Sequence, residues 1–501
     1  FYQATYNFCI DRSQYMRSQE KRIGISADWT REKFTLDPEV SKRAIETFVQ
    51  MYKNGLIYRG ERIINWCPRC ATALSDIEVI HKETEGKLFF IKYPIKDSEK
   101  FITVATTRPE TMLGDTAVAI HPQDERYTPV IGKTILLPIV NREIPIIADD
   151  RIDSTFGTGA VKITPAHDPL DWEIGRDHKL ETIQIINEQA KISEQGGIYA
   201  ELSTKDAREK ILTDLASMRL LEKEEAHMIN LSQCERCKTT IEPLVSKQWF
   251  MDVDAPQYSI KRESIKALQS GAIIFHPDSM KEQMIHWLEN LYDWCISRQL
   301  WWGHRIPVWY KTSEGKEEIY CGTTAPEGDG WTQDPDTLDT WFSSSQWPYT
   351  TLGYHDANDA KTFYPTDMMI MGRDLLFFWA TRMVMFGFYR TGTAPFKHLY
   401  FTGLVRDKEG QKMSKSKGNG VDVLEMIEKF GSDAVRLSLI LGTAPGLDFR
   451  LYEEKIETFR NFTNKLWNIG RYTSSTINQN FTIKEVVPKT PADHWILLRL
   501  Q

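Results

Sequence analysis

Apolar positions along the chain change their rhythm twice. Asp37-Pro38-Glu39 has the form of a helix start, with a capping acid, proline in the first turn and a second acid. Val40, Ala44, Ile45, Phe48, Val49 and Tyr52 follow at helical spacing, and Gly55 is a natural stop, so the first sixty residues read as largely helical. After Glu85 the pattern shortens. "KLFFIKYPI", "FITVATT", "TILLPIV", "EIPIIA" and "GAVKITP" are β-branched or aromatic runs separated by Gly, Pro and Asp, the pattern of a compact β domain, a barrel or a sandwich. A charged stretch from Thr204 to Glu225 is predicted to close it as helix. Beyond Trp249 longer segments return. "TDMMIMG" and "HLYFTGLV" read as buried strands, with "LLFFWATRMVMFGFYRTG" between them as a buried helix. "VDVLEMIEKFGSDAVRLSLILG" and "EEKIETFRNFTNKLWNIGRYT" are predicted helical. Strand, helix, strand, loop, helix is the order of a doubly wound α/β layer, whose ligands sit at the strand ends.

Composition narrows the class. At 501 residues, 41% hydrophobic and 26% charged, the chain is a folded protein of several domains. A net charge of -7 excludes a generally basic nucleic-acid coat but leaves room for a local positive groove. No apolar run is long enough to span a bilayer, and no signal-peptide pattern opens the sequence. Seven cysteines do not make a disulfide scaffold. Four form two close pairs, "CPRC" (Cys67, Cys70) and "CERC" (Cys234, Cys237), which predicts a tetrahedral zinc site in a reducing, cytoplasmic setting. The long gap between the pairs holds the whole β domain, so the metal would clamp an insertion at its base. Four thiolates leave no open position, which makes the site structural. Cys9, Cys295 and Cys321 have no close partner and read as ordinary core or surface thiols.

"GQKMSKSKGNG" packs Lys412, Lys415 and Lys417 between glycines, after an apolar strand and before a helix. Like charges repel, and a glycine-flanked loop is costly to order. Backbone N–H groups, hydroxyls and ammonium groups there can form a phosphate cradle, although no Walker motif is present. "KMSKS", Lys412 to Ser416, resembles the signature loop of class I aminoacyl-tRNA synthetases. In that family the loop closes over ATP, and the lysines face the leaving phosphates. Longer strings resemble the valyl branch: "NWCPRC", "TTRPETMLGDTAVAIHP", "GTGAVKITPAHDPLDWEIG", "CISRQLWWGHRIPVWY", "DTWFSSSQWP" and "LVRDKEGQKMSKSKGN".

The resemblance implies a Rossmann-like catalytic domain, present in part, with an inserted β-barrel editing domain and the start of an α-helical anticodon-binding domain. Its boundaries are expected at 1–71 (connective part with the first zinc knuckle), 72–233 (editing domain), 234–450 (second knuckle and the C-terminal half of the catalytic domain) and 451–501 (start of the anticodon-binding domain). It implies ATP-dependent activation of valine with Mg2+, transfer to tRNA(Val), a monomer, no membrane partner, and catalytic roles for Lys412, Ser414, Lys415 and Ser416. ATP would be held by Met413, Lys415 and Gly403, with Thr402 beside it. Valine would be held by Trp341, Asp374, Leu375 and Trp379; the acid can pair with the ammonium while indoles and a leucine enclose a branched side chain. The other class I signature, His-x-Gly-His, matches none of the eleven histidines. With the abrupt start at Phe1, this gives the expectation of a fragment deficient in activation, with apolar surface exposed on its half-sheet. The alternatives are a non-catalytic, zinc-stapled tRNA-binding module and an editing-only deacylase.

Valine and threonine are nearly isosteric. A pocket built for valine rejects threonine by only about a hundredfold, a figure that comes from measurements on valine-specific enzymes of this kind. The resemblance places a second, hydrolytic site in the β domain, formed by Arg108, Thr111, Phe156, Lys162, Thr164, Asp168 and Asp171. Asp168-Pro169-Leu170-Asp171 also has the pattern of a helix N-terminus, so both acids could simply cap. Asp171 is the choice for anchoring the ammonium of a misacylated residue. Thr164 or Asp168 would read its hydroxyl, and Lys162 and Arg108 suit the ester or the RNA end. His121 and His167 are expected to be structural.

Overall fold

The computed structural model describes residues 1–313, 315–353, 358–413, 418–477 and 487–500. The chain divides into two compact units: Phe1–Glu32 with Met371–Arg373 and Phe401–Gln501, and Lys33–Ile370 with Asp374–Tyr400.

The first unit opens with helix α1 (Tyr2–Ile23) and continues in helices Val423–Phe430, Ser432–Ile440, Glu453–Thr476 and Pro491–Leu500. The single long helix predicted after the lysine loop is two. Gly431, at φ 84° and ψ 152°, stands where only glycine is comfortable, and the chain turns there. Met426, Phe430, Ala434, Val435, Leu451 and Ile456 form the core of this unit. Arg22 pairs with Glu428 at 3.2 Å, and Arg436 donates to the Ile23 carbonyl at 3.2 Å, fastening α1 to it.

The second unit begins with helix α2 (Pro38–Lys53), as the sequence predicts. Asp37 does not cap it; its carboxylate turns back to the Phe34 N–H at 2.8 Å. The buried face of α2 carries Phe48, whose ring meets Trp249 and Phe342 edge-on at 5.8 and 6.1 Å. A four-stranded sheet follows, built from β1 (Ile57–Cys67) and β2 (Thr72–Leu74), which later strands complete.

Strand β3 (Val79–Pro94) leaves this body as one arm of a long antiparallel ribbon. Then come β4 (Phe101–Thr106), β5 (Ala117–Ile120), β6 (Thr134–Leu136), β7 (Glu143–Ala148) and β8 (Ala160–Ile163). Helix α3 (Pro169–Asp177) and helix α4 (Thr204–Ser217) precede the returning arm, β9 (Leu221–Cys234). The helix predicted to run to Glu225 therefore stops early. Arg219 takes a positive φ of 59°, and Leu221–Glu225 pair with β3 instead, because the ladder satisfies their backbone groups. All five short apolar runs are strands. The β domain forms one sheet in the order β4-β3-β9 and another in the order β6-β7-β5-β8, bridged at Ile95↔Ile135. Its core combines Ile91, Tyr93, Val104, Val118, Ile135 and Ile146 with Ile211 and Leu215 of α4.

The chain re-enters the body on β10 (Glu242–Met251), which pairs antiparallel with β1 from Ile57↔Met251 to Trp66↔Glu242. Helix α5 (Ile260–Gln269), strand β11 (Ile274–His276), helix α6 (Ser279–Glu289) and strand β12 (Trp294–Cys295) follow, and the body sheet reads β12-β10-β1-β2. A three-stranded sheet places β11 beside Phe396–Thr402, with Thr366–Gly372 at its edge. The edge strand is not buried as its composition predicts: Met368 and Ile370 are exposed. The segment after it is not one helix either. Arg373–Leu375 is a 3-10 turn, Leu376–Ala380 a wide π-type turn, and only Thr381–Thr391 is α-helical.

Candidate functional site

The four paired cysteines converge. Their sulfurs all lie within 4.8 Å of one another, and Cys67 Sγ is 3.4 Å from Cys237 Sγ. The two knuckles are copies in backbone terms. Ala71 donates to the Cys67 carbonyl and Lys238 to the Cys234 carbonyl, both at 2.8 Å, and Ala71 and Lys238 both take positive φ (51° and 61°). Burial pushes the Cys67 and Cys70 thiols upward, so all four sulfurs would ionise together only with a cation among them. The donor set and spacing fit tetrahedral zinc. One knuckle joins β1 to β2 and the other joins β9 to β10, and Val79 pairs with Cys234 at the root of the ribbon.

In the β domain, sequence-distant residues meet in one buried cluster. Lys162 Nζ donates to Thr164 Oγ1 at 2.6 Å and Thr111 Oγ1 at 2.8 Å, and lies 3.3 Å from Asp115 Oδ1. Thr164 Oγ1 donates to the same Asp115 oxygen at 2.6 Å, while Tyr93 OH donates to the other at 2.7 Å. Burial raises the Asp115 carboxyl, with Lys162 and the two hydroxyls pulling against it. Asp115 and Tyr93 are the members that sequence reasoning missed. Asp115 lies inside the quoted "TTRPETMLGDTAVAIHP", where a buried acid opposite a buried lysine was the available signal.

Asp168 and Asp171 divide the labour at the start of α3. Asp168 caps it, accepting from Leu170 N at 2.9 Å and Asp171 N at 3.2 Å. Asp171 turns inward, is buried, and accepts from Thr164 N at 2.8 Å. Burial first, then the neighbouring Asp168, push its carboxyl up to about 7, against the pull of Lys162. The structure brings Thr111, Lys162, Thr164, Asp168 and Asp171 together. Arg108 is tied in through its carbonyl, which accepts from Thr111 Oγ1 at 3.0 Å. Its guanidinium instead pairs with Glu242 and with Glu110 (3.3 Å), and Glu110 also takes a bidentate Arg208 at 2.7 and 2.8 Å. Phe156 stands apart on an exposed turn, its ring 5.9 Å from His227. His167 accepts from Ile185 N and Ile186 N (2.8 and 3.1 Å) through Nε2 and donates from Nδ1 to the Pro243 carbonyl (3.2 Å). With its imidazole pushed down to about 3, chiefly by burial and then Arg108, it is a neutral brace.

The remaining candidates fall in two segments. Trp341 packs its ring 5.3 Å from Phe378, and Trp379 Nε1 donates to the Ser344 carbonyl at 2.9 Å, so the two tryptophan-bearing segments are held together. Asp374 is exposed at the 3-10 turn, and Leu375 and Trp379 are half-buried. In the first unit the base of the lysine loop is fixed: Met413 N donates to Val405 O at 3.2 Å, and Asn419 Nδ2 to Asp407 at 2.7 Å. Lys412 is exposed there, and Ser414, Lys415, Ser416 and Lys417 lie outside the described residues. Gly403 is required by packing, since a Cβ would sit 1.9 Å from the Leu447 carbonyl oxygen. Thr402 Oγ1 reaches the Met371 carbonyl at 3.4 Å. Arg373 pairs with Asp448 at 3.0 Å; Asp448 also takes Arg406 and the Leu404 N–H (2.9 Å).

A parallel-stranded α/β sheet, a lysine loop after its strand and a β domain inserted on a cysteine-clamped stalk define the class I nucleotide-fold architecture. The chain belongs to the tRNA synthetases class I (I, L, M and V), whose family model matches residues 1–452. It is 50% identical over 494 residues to the valine--tRNA ligase of Clostridium tetani, covering 97% of this chain and 56% of that protein. It is 48% identical over 507 residues to that of Geobacillus stearothermophilus, covering 100% and 57%. The chain thus spans a little over half the length of these relatives. Among solved structures, methionyl-tRNA synthetase of Mycobacterium tuberculosis in complex with methionyl-adenylate shares the fold, with TM-score 0.54, 14% identity, and coverage of 99% of this chain and 64% of that one. No helix among the described residues is long and apolar enough to cross a membrane.

Proposed function

We propose that this chain carries the editing machinery and part of the synthetic machinery of a valyl-tRNA synthetase, an enzyme for ATP- and Mg2+-dependent activation of valine, transfer to tRNA(Val) and hydrolysis of mischarged threonyl-tRNA(Val), and that by itself it is deficient in activation. The observation that carries this reading is the near-50% identity, across essentially the whole chain, to proteins named valine--tRNA ligases. In the synthetic part, Trp341, Leu375 and Trp379 would enclose the branched side chain and Asp374 would pair with its ammonium. Lys412, with Lys415, would counter the charge on departing pyrophosphate. Zinc, which Cys67, Cys70, Cys234 and Cys237 would hold, would supply only a fixed structural node.

The buried cluster supplies the editing chemistry. Among the described residues Asp171 has no cation at hydrogen-bonding distance, and burial pushes its carboxyl up to about 7. An arriving α-ammonium would lower that value and form a charge-assisted pair. Thr164 and Asp168 then lie close enough to Asp171 to test for a hydroxyl on the side chain. Valine offers no such group, so polarity discriminates where size cannot. Lys162, steadied by Asp115, would face the ester, and positioned water would complete hydrolysis.

The test is deacylation of threonyl-tRNA(Val) by the purified chain. Hydrolysis above background, lost in Asp171→Ala and absent with valyl-tRNA(Val), is the expected result. Tight binding of threonyl-tRNA without hydrolysis would make the chain an RNA-binding module and overturn the editing assignment.

A further inference from the structure

Helix α3 turns Asp171 inward and shows Pro169, Trp172 and Glu173 to a different space, a cavity of about 520 Å3 between it and the body. Arg382, from helix Thr381–Thr391, lines this cavity. The residue is 4% exposed, and its guanidinium lies 3.5 Å above the ring of Trp294. Its Nε has no hydrogen-bond partner, and no carboxylate among the described residues pairs with it. Four nearby acids are engaged with other partners. Asp339 takes Arg298 (2.9 Å) and Trp294 Nε1 (3.0 Å), and Glu78 takes Arg236 (2.8 Å) and Arg298 (3.4 Å). Asp293 takes Arg62 and Tyr58 OH, each at 2.6 Å, and Asp76 takes Asn65 (2.7 Å) and Tyr292 OH. Asp339, Glu78 and Asp76 favour the charge of Arg382 only from beyond contact distance; a buried cation without a directly paired carboxylate is costly, and one aromatic face offsets only part of that cost.

We propose that this cavity is a binding site for a small, flat aromatic carboxylate, whose anionic end meets Arg382 and whose ring lies among Trp172, Trp287 and Tyr292. The volume suits one drug-sized ring compound. The wall chemistry is aromatic, which favours stacking. Asp76, Asp293 and Glu173 line the same space and repel a polyphosphate or a phosphodiester strand, while they favour a ligand with donor groups on its far edge. The cavity shares no residue with the Lys162–Thr164–Asp171 cluster or with the Trp341–Trp379 segments. Because its walls come from α3 and from the body, an occupant would brace the inserted domain.

Calorimetry and ligand-observed NMR with indole-3-acetate, tryptamine and AMP as probes test this. Indole-3-acetate is expected to bind saturably. Tryptamine, which carries an ammonium in place of the carboxylate, is expected not to bind. Arg382→Met should weaken indole-3-acetate by about tenfold or more, while its melting temperature without ligand stays equal or rises, because a buried unpaired charge has gone. Arg382→Lys should retain part of the affinity, and Trp172→Ala should weaken it independently. Equal binding of tryptamine, preference for AMP, or indole-3-acetate binding indifferent to both Arg382→Met and Trp172→Ala would each overturn the proposal. So would no binding by the wild-type chain, which would leave Arg382 a water-solvated structural residue.

Discussion

Asp171 shows how two adjacent acids acquire different duties. Asp168 faces the helix end, where N–H groups favour its charge, whereas Asp171 is folded inward beside Thr164. The helix-start pattern allows both acids to cap, with Asp171 the choice for anchoring an ammonium; the difference arises from which way α3 packs, with Ile174 and Gly175 of the same helix buried beside Asp171. Since the Asp171 carboxyl is raised to about 7 in the folded chain, the unfolded chain releases this proton first as pH rises. Its contribution therefore erodes stability between about pH 4 and pH 7 and is constant above. Asp171→Asn should remove that slope and raise stability at pH 8 by up to about 4 kcal/mol; unfolding free energies parallel to wild type across the window would contradict it. Capture of an ammonium needs the ionised form, so deacylation should rise through pH 7. Asp115 makes the converse case. Asp115→Ala leaves Lys162 buried without a counter-charge and should cost about 3–5 kcal/mol, read from urea midpoints.

At the level of elements, the short strands were legible because Gly, Pro and Asp punctuate them and β-branched residues fill them. Ala117–Ile120 escaped notice because its residues, AVAI, are all buried and carry no alternation. The opening of the helix that ends at Thr391 was misread for a related reason: a continuous apolar run has no period to show where the α-helix begins. The pattern also missed the stop at Gly431, because glycine inside a helical rhythm is ambiguous until its torsions are seen. At φ 84° and ψ 152°, Gly431→Ala should cost about 1–3 kcal/mol. Calorimetry would show it, and a neutral substitution would mean that the two helices can fuse without penalty.

For the whole molecule, paired cysteines far apart in sequence predicted a clamp, and they do converge at the root of the ribbon. Their metal can be tested directly. Elemental analysis should find one zinc per chain, and Cys67→Ser or a strong chelator should lower the melting temperature and loosen hydrogen exchange first at β9 and β2; unchanged exchange there would remove the clamp. What the sequence could not display is a surface made by folding, such as Arg382 above Trp294, because neither residue belongs to a motif. The stalk has one further implication. Residues 79 and 234 are ladder neighbours, so the intervening stretch leaves and rejoins the body at a single doorway. Such a stretch can be lifted out and the gap closed with a short turn, or exchanged for a foreign module, with the register between β1 and β10 untouched. Modularity of that kind makes it possible for a whole domain to be gained or lost without rebuilding the body that carries it.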